Sequence, residues 1–395
     1  MIKSFVNILL FLEMVMSVIS QEIPRTMKLF PDTGQKTSYT DTFGEDTDYN
    51  INPPTYQKNG DGTTLDINTG LQWQTTDGGE MTYEHAIQYA DTVTLAGFTD
   101  WRLPTPMEAY SILNQGKANP AIDITAFNAT NAEYWWTSKP QYNDPLKVWC
   151  TNAGGGIGNH QKKETISAGG TKRFHCRVVR DIAKPQSVPA RYTNYGNGII
   201  KDNLTDLEWK AIPFPDSISW EQALQACENL VFENYNDWRL PNVKELQSLS
   251  SQDFSNPSVD PFFKSAFPIG KYWSSTSLPN QTQKAWYLDT RFGITTYALK
   301  TDRLFVAIVR SGKSTDISEE SHSSIHISTS NSSRIIINNI MQHSVIIISD
   351  LNGGIIEKQS NVSDTFESKN LSNGMYFVNI MHNETIETKL CIINQ

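Results

Sequence analysis

Asp100-Trp101-Arg102-Leu103-Pro104 returns 137 residues later as Asp237-Trp238-Arg239-Leu240-Pro241. The landmarks around it keep the same interval: Thr82-Tyr83-Glu84-His85-Ala86 faces Ser219-Trp220-Glu221-Gln222-Ala223, Asn119-Pro120 faces Asn256-Pro257, and Trp136 and Trp149 face Trp273 and Trp286. A period this long is a whole domain, too large for a solenoid repeat. The sequence therefore reads as two copies, 58–181 and 192–312, joined by a Pro-bearing linker, 182–191.

Each copy opens a helix at Thr82 or Ser219, an N-cap residue followed by an apolar stripe. A second helix follows the repeated motif. Thr105-Pro106-Met107-Glu108 supplies a capping hydroxyl, a first-turn Pro and a Glu at the third position, and Asn242 with Glu245 does the same in the second copy. Short aromatic and β-branched runs separated by turn residues come next and read as antiparallel strands. The fold class is α+β, two helices plus an antiparallel sheet in each copy.

The N-terminus, 1–20, combines Lys3 with an apolar run too short to span a bilayer, the pattern of a secretory signal. No later stretch is long and apolar enough to span. Residues 21–57 form an extension. Residues 313–324 are a Ser- and Glu-rich linker, and 325–395 alternate as strands around Asn-Gly turns, an all-β sandwich without Trp. The formal charge of −9 argues against a nucleic-acid partner, since phosphate binding calls for a basic stripe.

Asp100, Trp101, Arg102 and Glu108, with Asp237, Trp238, Arg239 and Glu245, form the structural motif. An Arg just before a helix with Glu at its third position favours an internal ion pair over a ligand site. Ligand candidates lie in the late segments: Tyr142, Trp149, Lys162, Lys163, Lys172 and Arg173 in the first copy, Trp286, Tyr287 and Arg291 in the second. The four cationic residues of the first copy cluster in an acidic chain, a pattern that suits sulfated or carboxylated glycans and equally suits a solvated loop.

No catalytic residue is assigned. All seven His lie outside the second copy, so it has no imidazole for a Ser, Cys or zinc mechanism, and His85, His160 and His175 show no ligand spacing. Asp61 and Asp66 in a Gly-Asp-Gly setting are the one candidate for calcium, which a plain turn explains as well, and no cofactor is otherwise expected. Cys150 and Cys176, on what read as neighbouring late strands of an exported protein, are expected to form a disulfide worth about 3–4 kcal/mol.

Thr69-Gly70-Leu71-Gln72-Trp73, Thr82 to Ala86, Asp100 to Thr105 with Glu108, and Arg177-Val178-Val179-Arg180 resemble the Lcl C-terminal family, and the second copy repeats them through Leu207-Glu208-Trp209, Asp237 to Asn242, Tyr272 to Ser275 and Val309-Arg310. The resemblance covers about two thirds of the chain. It implies a C-type-lectin-like or formylglycine-generating-enzyme-like fold and an extracellular glycan or surface polymer as partner. Cys227 departs from the family habit, in which a helix Cys pairs with one near the final Val-Arg, a place taken here by Val306. Pro31 to Gln35 and Phe43 to Asp46 resemble segments that often precede this domain.

Asp350-Leu351-Asn352-Gly353 and Leu371 to Val378 resemble the type IX secretion sorting domain, which implies a Bacteroidetes-type cell, passage through that machinery, and a place outside the cell or on its surface. The expected function is a secreted or cell-surface binding protein acting in glycan recognition or adhesion. The alternatives are a formylglycine-generating or hydrolytic enzyme, for which Cys227 alone is too little thiol chemistry, and a structural surface or matrix protein.

Overall fold

The computed structural model describes residues 23–164, 173–264, 266–311, 326–329, 334–350, 354–382 and 385–393; the signal, Lys172 and the 313–324 linker lie outside them. The chain divides into two units, 1–314 and 315–395.

In the first unit the four expected helices form: α1 (Tyr83–Thr92), α2 (Pro106–Ser111), α3 (Trp220–Glu228) and α4 (Val243–Ser248). Their starts are set locally. The Thr82 hydroxyl accepts the His85 N–H, and closed capping boxes begin α2, α3 and α4. A further short helix in the second copy, α5 (Pro261–Lys264), was not expected.

Each copy carries two sheets where one was expected. The first is antiparallel in both: Tyr56–Lys58, Thr63–Asp66, Leu71–Gln74 and Val179–Asp181 in copy 1, and Tyr192–Asn194, Ile199–Asp202, Glu208–Lys210 and Val309–Arg310 in copy 2. The second is a three-stranded meander in copy 2, Lys271–Ser277, Lys284–Asp289 and Ile294–Leu299. In copy 1 it runs Ile157–Gln161, Asp144–Asn152, Tyr134–Gln141, Phe174–His175, and its last pair is parallel. The fold is thus β-rich α+β, with short helices and a sheet that is not wholly antiparallel.

The repeated motif is a splice between these layers. The Arg102 N–H and C=O pair with Val179, extending the first sheet, and Arg239 pairs with Val309 in the same way. Trp101 and Trp238 are buried and donate their indole N–H to Leu95 O and Phe232 O at 3.2 and 3.1 Å. Burying a large ring while satisfying its single donor explains why the motif requires Trp.

The stretches outside the copies are built in as well. Residues 182–191 are no free linker, because Gln186–Val188 pairs antiparallel with Ile23–Arg25 of the extension. The copies also touch. Tyr110, Leu113, Trp149 and Ile157 pack with Ile294, and a Cβ on Gly155 would lie 3.4 Å from the Trp286 ring.

In the second unit the longest strand is Ile335–Ser349. It pairs with Ile355–Glu367 on one edge and with His326–Thr329 and then Gly374–His382 on the other, while Thr385–Ile393 adds the fifth strand. The five strands are joined by hydrogen bonds and share a core of Ile335, Ile346, Val362, Phe366 and Val378.

Candidate functional site

The motif arginines meet their expected partners. Arg102 reaches Glu108 through two bonds of 2.7 and 2.9 Å, and Arg239 reaches Glu245 through two of 2.6 Å. The same carboxylates close the capping boxes, so one Glu ties an Arg, a helix start and the backbone of residue 105 or 242 together. A second pair that the sequence did not disclose sits beside each: Asp100 with Arg180 and Asp237 with Arg310.

The surroundings of the two motifs differ. The Arg102 side chain is 32% exposed and shared with Asp181, whereas that of Arg239 is 3% exposed under the Tyr49 ring, 5.2 Å from its centroid. Tyr49 belongs to the extension. Its hydroxyl donates to Glu228, the Thr40 hydroxyl bonds Glu221 at 2.9 Å, and Gly44, at φ 110°, sits where a Cβ would come within 3.0 Å of the Glu228 carboxylate. Deeper in, Thr276 donates to Asp46, Ser277 to Glu45, and Asn242 to Asp32.

Below these contacts lies a buried Lys. Lys244 on α4 donates its ammonium to Asp32 O and Ser111 O, each at 2.7 Å, and so joins the extension, copy 1 and copy 2. Burial lowers its pKa to about 8; burial and Asp46 raise that of Asp32 to about 8, and burial raises Asp46 to about 6. Nothing in the sequence separates Lys244 from a solvated helix residue.

The other ionisable cluster lies in copy 1. His175 Nδ1 is 2.8 Å from Asp77, whose second oxygen accepts from Trp135 and Thr130 at 2.9 and 2.7 Å. Burial opposes ionisation, but these donors and Arg177 hold the Asp77 carboxyl down at about 2. The Asp–His pair is sealed, with both side chains under 5% exposed, and His175 Nε2 is buried without a partner among the described residues.

Several expected ligand residues are placed elsewhere. Trp149, Trp286 and Tyr287 are buried, the two Trp at the contact between the copies, so none offers a face to a sugar. Arg291 is held by Asp289 through bonds of 3.0 and 2.7 Å. Arg173 pairs with Glu80 at 2.7 Å, and Lys162 lies 5.6 Å from the Tyr83 ring centroid. Tyr142, 66% exposed, stands at the tip of the hairpin joining Tyr134–Gln141 to Asp144–Asn152, and Lys163 is exposed. The Lys162 N–H donates to Leu146 O, which brings Lys162 and Lys163 to that same end of the sheet.

The expected disulfide is absent. Cys150 and Cys176 are buried free thiols. Their strands are not neighbours, since Tyr134–Gln141 runs between them, and two inter-strand spacings of about 4.8 Å exceed the reach of a disulfide. Burial pushes the Cys176 thiol up to about 12 and raises Cys150 as well, so both stay protonated. Asp61 and Asp66 flank opposite ends of the Thr63–Asp66 strand, each accepting from nearby backbone N–H groups, and do not converge. Among the described residues no cluster of His, Cys, Asp or Glu is arranged to hold a metal.

The Lcl C-terminal domain model matches residues 62–180 and 198–310, and the secretion system C-terminal sorting domain model matches 321–394. No curated protein matches. A solved structure of PorZ, an essential bacterial surface component of the type-IX secretion system of human oral-microbiomic Porphyromonas gingivalis, is similar over 66% of this chain and 30% of that one, at 11% identity and a TM-score of 0.17. That likeness is too weak to bear on the fold, and the chain spans under a third of the PorZ chain. Among the described residues no helix is long and apolar enough to cross a membrane. The chain belongs to the Lcl C-terminal domain family, carries two copies of that domain, and ends in a type IX secretion sorting domain that marks it as secreted or attached to the outer cell surface.

Proposed function

We propose that the chain is a non-catalytic recognition protein of the cell exterior, that each copy is C-type-lectin-like, and that its ligand is a glycan or anionic surface polymer. The observation that carries this reading is the end of the second sheet in copy 1, which bears the exposed Tyr142 at a hairpin tip and, on the neighbouring strand end, Lys162 and Lys163. A ring face can stack on a pyranose, and two ammonium groups suit sulfate or uronate oxygens. Two ionisable pairs support binding over turnover: Arg239–Glu245 is buried with its bonds taken up by the fold, and Asp77–His175 is sealed from solvent.

The test is a glycan array probed with the full mature chain, including sulfated and carboxylated oligosaccharides. Binding should fall at least tenfold for Tyr142→Ala and for the double Lys162→Gln, Lys163→Gln change. An array with no signal, or one indifferent to these changes, refutes the glycan reading; hydrolysis of the arrayed sugars refutes the non-catalytic one.

A further inference from the structure

The two copies present the same helix face; in copy 2 the extension crosses it, whereas in copy 1 Pro24, Thr26 and Pro185 line the groove beside it and leave Ile87 exposed. On α3 the stripe Glu221, Leu224, Glu228 follows the helical i, i+3, i+7 spacing, and the extension crosses it, Thr40 on Glu221 and Tyr49 on Glu228. Leu224 is fully buried. The corresponding stripe on α1, 137 residues earlier, is Glu84, Ile87, Asp91. There Ile87 is 38% exposed, both carboxylates are exposed, and Arg102 is partly open to solvent. Between them runs a groove of about 600 Å³, lined by Tyr83, Ile87, Ala90, Asp91, Arg102 and Leu103 among others.

We infer that this groove of copy 1 is a docking site for an extended segment of another protein, with the chemistry that residues 38–49 of this chain bring to copy 2. The required chemistry is read from the occupied face: hydroxyls to meet the helix carboxylates, an aromatic ring to lie on the motif Arg, and a Gly where the backbone passes the last carboxylate. This chain's own 38–49 is already seated on α3, so the partner is a different polypeptide. The match is not complete. Lys139 and Pro140 stand where Thr276 and Ser277 bond Asp46, Glu45 and Gln35, so copy 1 has no N–H or hydroxyl at the Ser277 place, and Lys139 is already paired with Asp253. The site is separate from the proposed glycan surface, and either stands without the other.

The probe is a fluorescein-labelled peptide of residues 38–49, titrated with the full chain and followed by anisotropy. Saturable binding is expected, weakened at least tenfold by Ile87→Glu, whose exposed position leaves the circular dichroism unchanged, and weakened similarly by Tyr49→Ala within the peptide. Two results overturn the inference: no saturation by the peptide, or equal affinity for the Ile87→Glu chain, which would place the peptide elsewhere, including on α3 in exchange with the native segment.

Discussion

Arg102 and Arg239 occupy the same place in two copies of one domain and hold the same helix-starting Glu, yet the first is partly wet and the second dry. The motif sets the local geometry in both cases. What differs is the cover: Asp181 shares Arg102 from the side, while the Tyr49 ring lies over Arg239. A repeated sequence therefore specifies a repeated frame, and the segment that lies outside the repeat decides which frame is sealed.

Removing the cation is the largest test of that contrast. Arg239→Ala leaves Glu245 buried without its partner, which is expected to cost about 3–5 kcal/mol. Arg102→Ala is expected to cost clearly less, because the Arg102 side chain reaches the surface and its removal lets solvent in beside the buried Glu108. Urea midpoints of the two variants give the comparison, and equal losses would show that cover does not control the energetics. Truncating the helix stripe follows in size: Leu224→Ala should cost about 2–5 kcal/mol, and Ile87→Ala no more than about 0.5 kcal/mol.

The cover itself carries a pH signature. Asp32 and Asp46 have folded pKa values near 8 and 6, raised by burial, so the protonated forms favour folding; their contribution is complete below about pH 4 and fades as pH rises through those values. Lys244 works in the opposite sense and in a higher range, because its lowered pKa makes folding less favourable as pH falls from about 10.5 to about 8 and leaves that penalty constant below. Below about pH 8 Lys244 is protonated in both the folded and the unfolded chain and adds no slope, so the two acids alone set the trend: stability should decline between about pH 4 and 8, and Asp32→Asn should flatten that decline by removing one acid. The copy 1 equivalents, Thr105 and Met107 in place of Asn242 and Lys244, supply no such pair. Thermal melts across pH check this, and an unchanged slope in Asp32→Asn would assign the effect to other groups.

Features fixed within a few residues were legible in the sequence. The period, the four capped helices and both Arg–Glu pairs follow from patterns no longer than seven residues. Features that depend on which strand lies between two others were not. Cys150 and Cys176 look adjacent along the chain, and only the sheet order separates them. Trp149 and Trp286 carry the composition of a sugar platform, but the same rings fill the contact between the copies, which nothing local announces. Lys244 was unreadable for the same reason, since its partners are carbonyls 133 and 212 residues away.

The smallest expected effect separates the outer ion pairs. Arg180 is held by Asp100 and by the neutral Gln72 carbonyl, whereas Arg310 is held by Asp237 and by the Glu208 carboxylate. Neutralising Asp100 leaves Arg180 no other carboxylate among the bonds described, but Asp100 is largely exposed and water replaces much of the lost attraction, so Asp100→Asn should cost about 0.5–1 kcal/mol. Asp237→Asn should cost less, because Glu208 still neutralises Arg310. Gln72→Glu converts the first arrangement into the second and should recover most of the Asp100→Asn loss in the same denaturant titration. If it restores nothing, the carboxylate beneath the Arg is not what distinguishes the two copies, and the difference lies in the rings beside them, Phe98 at 3.8 Å and Tyr235 at 3.6 Å.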